Sequence, residues 1–190
     1  MQADTVKSIN NTDAVLPTVE DDIYEIISGI TPDEVKGVLE MISESGIFDF
    51  EELIAVEDIS WQCAYGDHGT SCGFIQAHHV NQSGRKVVGF VCYMAIPNWP
   101  NKYELCGIAV LPQCENMGIG SALLKLAEDE IATLGGDKIL LEIELEQDFE
   151  HVSAFYEKNG YEQETRFCRY YIPKDGNAVF SRAIANDREV

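Results

Sequence analysis

Basic residues are scarce in this chain: 13 lysines and arginines stand against 33 aspartates and glutamates among 190 residues, a formal charge of −20. Nucleic acid and anionic bilayers are both bound through a basic footprint, so neither is an expected partner. No apolar run approaches the ~18 to 20 residues that span a hydrocarbon core. The opening MQADTVKSINNTDAV lacks the basic flank and apolar stretch of a secretory signal. A cytoplasmic protein is the expectation. The six cysteines (Cys63, Cys72, Cys92, Cys106, Cys114 and Cys168) include no CxxC pair, and the four histidines fall in none of the usual zinc spacings. His78 and His79 adjoin, so in a strand they point to opposite faces. No metal site is expected, and the thiols read as reduced and mostly buried.

What is present is a core-forming composition, 45% hydrophobic, at a length suited to one domain. Residues 1–20 show no periodicity and read as a flexible leader, leaving 21–190 as one domain. Ile23 to Ile30 is a β-branched apolar run that predicts a strand. Thr31-Pro32-Asp33-Glu34 has a capping hydroxyl, a first-turn proline and two acids, which predicts a helix start. That helix buries Val35, Val38, Leu39 and Ile42 and stops near Gly46. A second helix covers Phe50 to about Ala64. CGFIQAHHV and KVVGFVCYMAI flank a turn at Asn81 to Arg85, a hairpin pattern. KYELCGIAV follows as a strand, with Glu104, Cys106, Ile108 and Val110 placed on one face by alternation. A helix from Ile119 to Leu134, a strand KILLEIEL, and a helix from Glu150 to Lys158 come next. Strands over Tyr161 to Ile172 and Ala178 to Ile184 complete the order β-α-α-β-β-β-α-β-α-β-β. The fold class is α/β (α+β), a mixed sheet flanked by helices.

The stretch ELCGIAVLPQCENMGIGSALL carries the chemistry. A strand ends at Val110, a proline-marked loop follows, and Gly118-Ile119-Gly120 opens an amphipathic helix. Free backbone N–H groups at such a helix start, with the positive end of its dipole, form an anion site, and glycine permits close approach. A tight turn alone would also explain the glycines. A Walker loop is excluded, because the Gly-Lys-Ser/Thr triplet is missing, and a dinucleotide fingerprint is excluded because position 123 is leucine.

IAVLPxxxxxGIGSALL resembles the central motif of the GNAT acetyltransferases, and AFYEKNGYEQ resembles that superfamily's later helix and strand. Both occur in order, with a helix and a strand between them. GITPDEVKGVLEMISESGIFDFEEL is similar to the helix-loop-helix that covers the amine site in some members. The resemblance implies a GNAT-type, mostly antiparallel central sheet, acetyl-CoA as co-substrate, and direct transfer of the acetyl group to a primary amine without a metal. It implies that the backbone of Ile108, Ala109 and Val110 runs beside pantetheine. It also implies that the loop and helix start (Glu115, Asn116, Met117, Gly118, Ile119, Gly120, Ser121) hold the pyrophosphate. Glu104 takes the position of the catalytic base and Tyr156 that of the general acid, whereas Tyr161 is expected to pack in the core. Phe48, Phe50, Tyr170 and Tyr171 are candidates for the acceptor pocket, together with Arg169.

The chain departs from the family pattern at several positions. Glu115 stands where Gln or Arg is usual, Asn116 where Gly is, and Met117 where a basic residue is common. Phe149 replaces an asparagine near the start of the later helix. An acid facing a pyrophosphate is unfavourable, while asparagine tolerates a positive φ. These departures keep a CoA-binding module without turnover as the alternative, and an interaction domain without CoA as a third. The negative charge favours a cationic small-molecule amine through steering. Homodimers are common among similar proteins.

Overall fold

Thr31 starts a helix as expected in the computed structural model, which describes residues 14–15, 23–66, 72–145, 149–165 and 171–184. The Glu34 carboxylate reaches back to accept from the Thr31 backbone N–H at 2.8 Å and from its hydroxyl at 2.9 Å, closing the first turn of α1 (Pro32–Ser45). Gly46 ends that helix at φ 66°, where a side chain would be strained. Asp49 and Glu52 exchange the reciprocal pair of bonds, each 2.8 Å, that opens α2 (Phe50–Tyr65). Local hydrogen bonds therefore define both helix starts.

The strands are β1 (Ala14–Val15), β2 (Ile23–Ser28), β3 (Cys72–Asn81), β4 (Gly84–Ala95), β5 (Lys102–Val110), β6 (Lys138–Glu144), β7 (Glu162–Gln163) and β8 (Asn177–Ala183). They form one sheet in the order β1-β2-β3-β4-β5-β6-β8-β7. Every neighbouring pair is antiparallel except β5 and β6. Helices α3 (Ile119–Thr133) and α4 (Phe149–Lys158) complete the chain. The expected order holds, with two differences. Ala14–Val15, in the stretch read as leader, pairs with Glu25 and Ile26. The strand expected from Tyr161 to Ile172 is strand only at Glu162–Gln163; 164–165 and 171–174 are irregular, and 166–170 lie outside the described residues.

Burial divides by face. On β4, Phe90 and Cys92 point to the side of α1 and α2, where Phe90 stacks on Phe74 and meets Phe48. Tyr93 points to the side of α3, and its phenol donates 2.8 Å to Glu130. Gly73 makes that position possible, because a Cβ there would lie 2.2 Å from the Tyr93 ring. The C-terminal strands contribute Ile139, Leu141, Ile143 and Phe180 to the α3 and α4 side, all at most 7% exposed. Arg182 on β8 donates 2.8 Å to the buried Glu128 of α3 and 2.6 Å to the Asn159 carbonyl. These two bonds join α3, the end of α4 and β8.

Candidate active site

Strands β5 and β6 run parallel but pair over only three positions, Lys102↔Lys138, Tyr103↔Ile139 and Glu104↔Leu140. Beyond Glu104 the ladder stops, although β5 continues to Val110 and β6 to Glu144. The two strands therefore splay, and each presents backbone donors and acceptors toward the gap. On its other side β5 stays tied to β4, with Gly89↔Val110, Phe90↔Ala109 and Val91↔Ile108. An extended molecule with amide groups of its own could pair along such an edge.

A bulge lies at the fork. Cys92 pairs with Gly107 and Tyr93 with Leu105, so Cys106 is the extra residue on β5. The bulge corrects the expectation that Glu104, Cys106, Ile108 and Val110 share one face. Glu104 lies opposite Met94, on the side of α1 and α2, whereas Ile108 and Val110 share the face of Val91 and Gly89. A Cβ at Gly120 of α3 would be 3.8 Å from Val110, which confirms that side chain's direction. The signal was in the sequence: a glycine inside a strand pattern, Gly107, often marks a bulge.

The far end of the gap is the start of α3. A single 3₁₀ turn at Pro112–Cys114 is anchored by the buried Leu111 and Cys114, and Leu111 N–H bonds Val88 O at 2.8 Å. Asn116 (φ 59°) and Gly118 (φ 84°) then wind the chain through two left-handed conformations. The first helical bond runs from Ala122 N–H to Gly118 O at 3.0 Å. Among the described residues the N–H groups of Ile119, Gly120 and Ser121 therefore have no partner, and Gly118 caps without a side chain. A Cβ on Gly118 would meet nothing within 4 Å, so the loop leaves open space there. Glu115 and Asn116 are exposed and Met117 packs against the core.

Glu104 stands at the fork. The Tyr171 phenol donates to its Oε1 at 2.8 Å. Burial pushes the Glu104 carboxyl above its ordinary value and the charge of Glu142 adds to this, against the Tyr171 hydrogen bond and the Lys174 charge. Tyr171 packs with Ile96, Leu140 and Val179, beside Trp99. Glu142 holds the segment after Tyr171 by accepting from Lys174 N–H at 3.1 Å and Asn177 Nδ2 at 2.8 Å. Sequence reasoning missed Glu142, although alternation along KILLEIEL sets it on the face of Leu140, opposite Leu141.

Tyr156 lies in α4, whose Phe155 ring would be 3.4 Å from a Cβ on Gly120. The Tyr156 ring is 7% exposed and makes edge contacts with Phe155 and Tyr161. Burial holds its phenol well above the ordinary value, and among the described residues no hydrogen bond engages it. Tyr161 is buried in the core as expected, with Arg182 over its ring at 6.0 Å. Phe48 packs on Phe90, Phe50 is 77% exposed at the start of α2, and Phe149 packs on Phe180. Tyr170 and Arg169 lie outside the described residues. Among those residues, no group of three His, Cys, Asp or Glu converges as a metal site, and no helix is long and apolar enough to cross a membrane.

A splayed parallel pair, a bulge beside the fork and an uncapped glycine-started helix define an acyl-CoA N-acyltransferase fold. Residues 36–161 match the Acetyltransferase (GNAT) family, well over half of the chain, and the chain belongs to that family. An acetyltransferase structure of this family from Desulfovibrio desulfuricans is similar, with 21% identity, a TM-score of 0.72, and 85% of this chain and 99% of that one covered. A PaiA N-acetyltransferase from Thermoplasma acidophilum, in complex with coenzyme A, has 21% identity and a TM-score of 0.64, covering 84% and 98%. The ribosomal-protein-S18-alanine N-acetyltransferase of Escherichia coli has 21% identity and a TM-score of 0.61, covering 85% and 94%. No protein of curated function matches the chain.

Proposed function

We propose that the chain transfers an acetyl group from acetyl-CoA to the primary amine of a small, cationic acceptor, by direct attack. One observation carries the reading: a half-buried carboxylate, Glu104, stands where the β5/β6 ladder ends. The residues suit the co-substrate. The unpartnered N–H groups of Ile119, Gly120 and Ser121, with the open space at Gly118, fit a pyrophosphate. The free edge of Ile108, Ala109 and Val110 offers peptide groups to the two amides of pantetheine. When bound, acetyl-CoA supplies the activated thioester.

The chain's own groups then have distinct tasks. Glu104 Oε1 is held by Tyr171, which leaves Oε2 to accept the proton of the incoming ammonium, directly or through water. A carboxyl raised toward neutrality is a better-matched base than an ordinary one. Tyr156 stays protonated through the neutral range, so its O–H serves as the donor to the departing sulfur. A backbone N–H near Val110 then bonds the acyl oxygen. Glu104, Glu142 and the overall charge of −20 favour a cationic acceptor.

The exposed Glu115 beside the helix start favours one second reading, a CoA-binding module without turnover. Thiol release from acetyl-CoA across an amine panel, with Glu104→Gln in parallel, separates the two. Turnover lost in the variant supports the enzyme. Tight acetyl-CoA binding without thiol release from any amine supports the module.

A further inference from the structure

Four of the cysteines converge under α2. Cys63 lies in the last turns of α2 and Cys72 is the first residue of β3; Cys92 and Cys106 lie on the next two strands. The Cys63 and Cys72 sulfurs are 2.8 Å apart. Shifts of under an ångström bring such a pair to the ~2.05 Å of a disulfide. Exposure sorts the cluster further. Cys92 is wholly buried, whereas Cys72 is half-buried and so reachable from solvent. Burial raises the Cys63, Cys92 and Cys106 thiols above their ordinary value, so it is the 2.8 Å contact with the half-buried Cys72 that sets Cys63 apart from the other two.

We infer that Cys63 and Cys72 form a reversible redox-modification site, a dithiol that closes to a disulfide with a small-molecule disulfide such as oxidised glutathione. The Cys72 thiolate attacks one sulfur of glutathione disulfide, and a glutathione thiolate leaves. Cys63, whose sulfur already touches that of Cys72, then gives up its proton as it attacks the Cys72 sulfur and expels the second glutathione thiolate, which takes that proton up. Two protein thiols lose two electrons, one glutathione disulfide becomes two thiols, and the two protein protons pass to them.

The bridge fastens the end of α2 to the sheet. Cys72 pairs with Met94, and Met94 with Glu104, so the clamp lies in the same cross-strand row as the carboxylate. α2 also rests on the bulge, since a Cβ at Gly107 would be 3.6 Å from Val56. Closure would thus fix the helix that roofs this face.

The test does not depend on acyl transfer. Trypsin leaves both cysteines in one peptide, residues 37–85, which contains no others. The native full-length chain is equilibrated in glutathione redox buffers, alkylated, unfolded, alkylated again with a heavier reagent and digested. The expected result is a peptide lacking two hydrogens and carrying neither label in oxidising buffer, returning to a doubly labelled one in reducing buffer. The melting temperature should rise by several degrees on closure, as for a short bridged loop. In Cys72→Ser, Cys63 should remain a thiol throughout. A peptide that keeps both thiols in oxidising buffer overturns the proposal. So does one that stops at a mixed disulfide, or oxidation of Cys63 at an equal rate in Cys72→Ser.

Discussion

Tyr171 and Glu104, 67 residues apart in the chain, are joined by a 2.8 Å hydrogen bond from the phenol to Oε1. The bond favours the ionised carboxylate, opposing the burial that raises its pKa. Its removal in Tyr171→Phe should move the acidic limb of kcat/KM to higher pH, while the KM for acetyl-CoA stays in place. A limb that does not move, or moves down, would reject Tyr171 as the group that positions and tunes the base.

Glu104→Gln should lower kcat/KM by about 10²- to 10⁴-fold, the usual range for a lost general base. The same change should raise the melting temperature. Because burial raises the folded-state pKa of Glu104 above its ordinary value, the folded chain holds its proton more tightly than the unfolded chain. Stability from this group is therefore complete below that value and declines as pH rises through the folded pKa. The variant's thermal advantage should be small near pH 4, grow with pH, and level off. Melting curves across pH check both the sign and the window.

The loop before α3 should respond to charge and to backbone. Glu115→Gln should lower the acetyl-CoA KM a few-fold at low salt, and the difference should shrink as salt is added. Gly118→Ala forces a side chain onto φ 84°, at a cost of about 1 kcal/mol or more. It should raise the acetyl-CoA KM without altering the acceptor KM. Initial rates with each substrate varied in turn distinguish the two.

Gly73→Ala is expected to be among the costly small substitutions. The new methyl would lie 2.2 Å from Tyr93 Cζ, so the ring must move and release Glu130. Overpacking of this kind costs about 2–3 kcal/mol, or roughly 5–10 °C in a chain of this size. Tyr93→Leu in the same background should recover part of the loss, which identifies the ring as the obstacle.

Much of the fold was legible because local signals agreed with the pattern. Thr31 with Glu34 and Asp49 with Glu52 fixed two helix starts, and Gly46 one helix end. The helix start at Gly118 was legible for the same reason: glycine and asparagine stand where the backbone must be left-handed. The bulge at Cys106 escaped because strict alternation assumes an unbroken ladder; Gly107 signalled an irregularity, but which residue is the extra one shows only in how β4 pairs with β5. Glu142 escaped because its importance comes from a segment 32 and 35 residues later, Lys174 and Asn177. The contact between Cys63 and Cys72 was hidden for the same reason, since their spacing fits no motif and only the packing of α2 on β3 joins them.

The seam between β5 and β6 has a mechanical consequence. Among the described residues, five strands on one side and three on the other are stitched together at three residue pairs, so the sheet resembles two stiff blades on a short hinge. A molecule lying in the gap and bonding both edges would act as a rivet between them. Saturation at 100 times Kd adds about 2.7 kcal/mol to the native state. That gain should fall unevenly, with amide exchange slowing most in the smaller blade of β6, β8 and β7. On this view a bound co-substrate is a structural member of the sheet as well as a reagent.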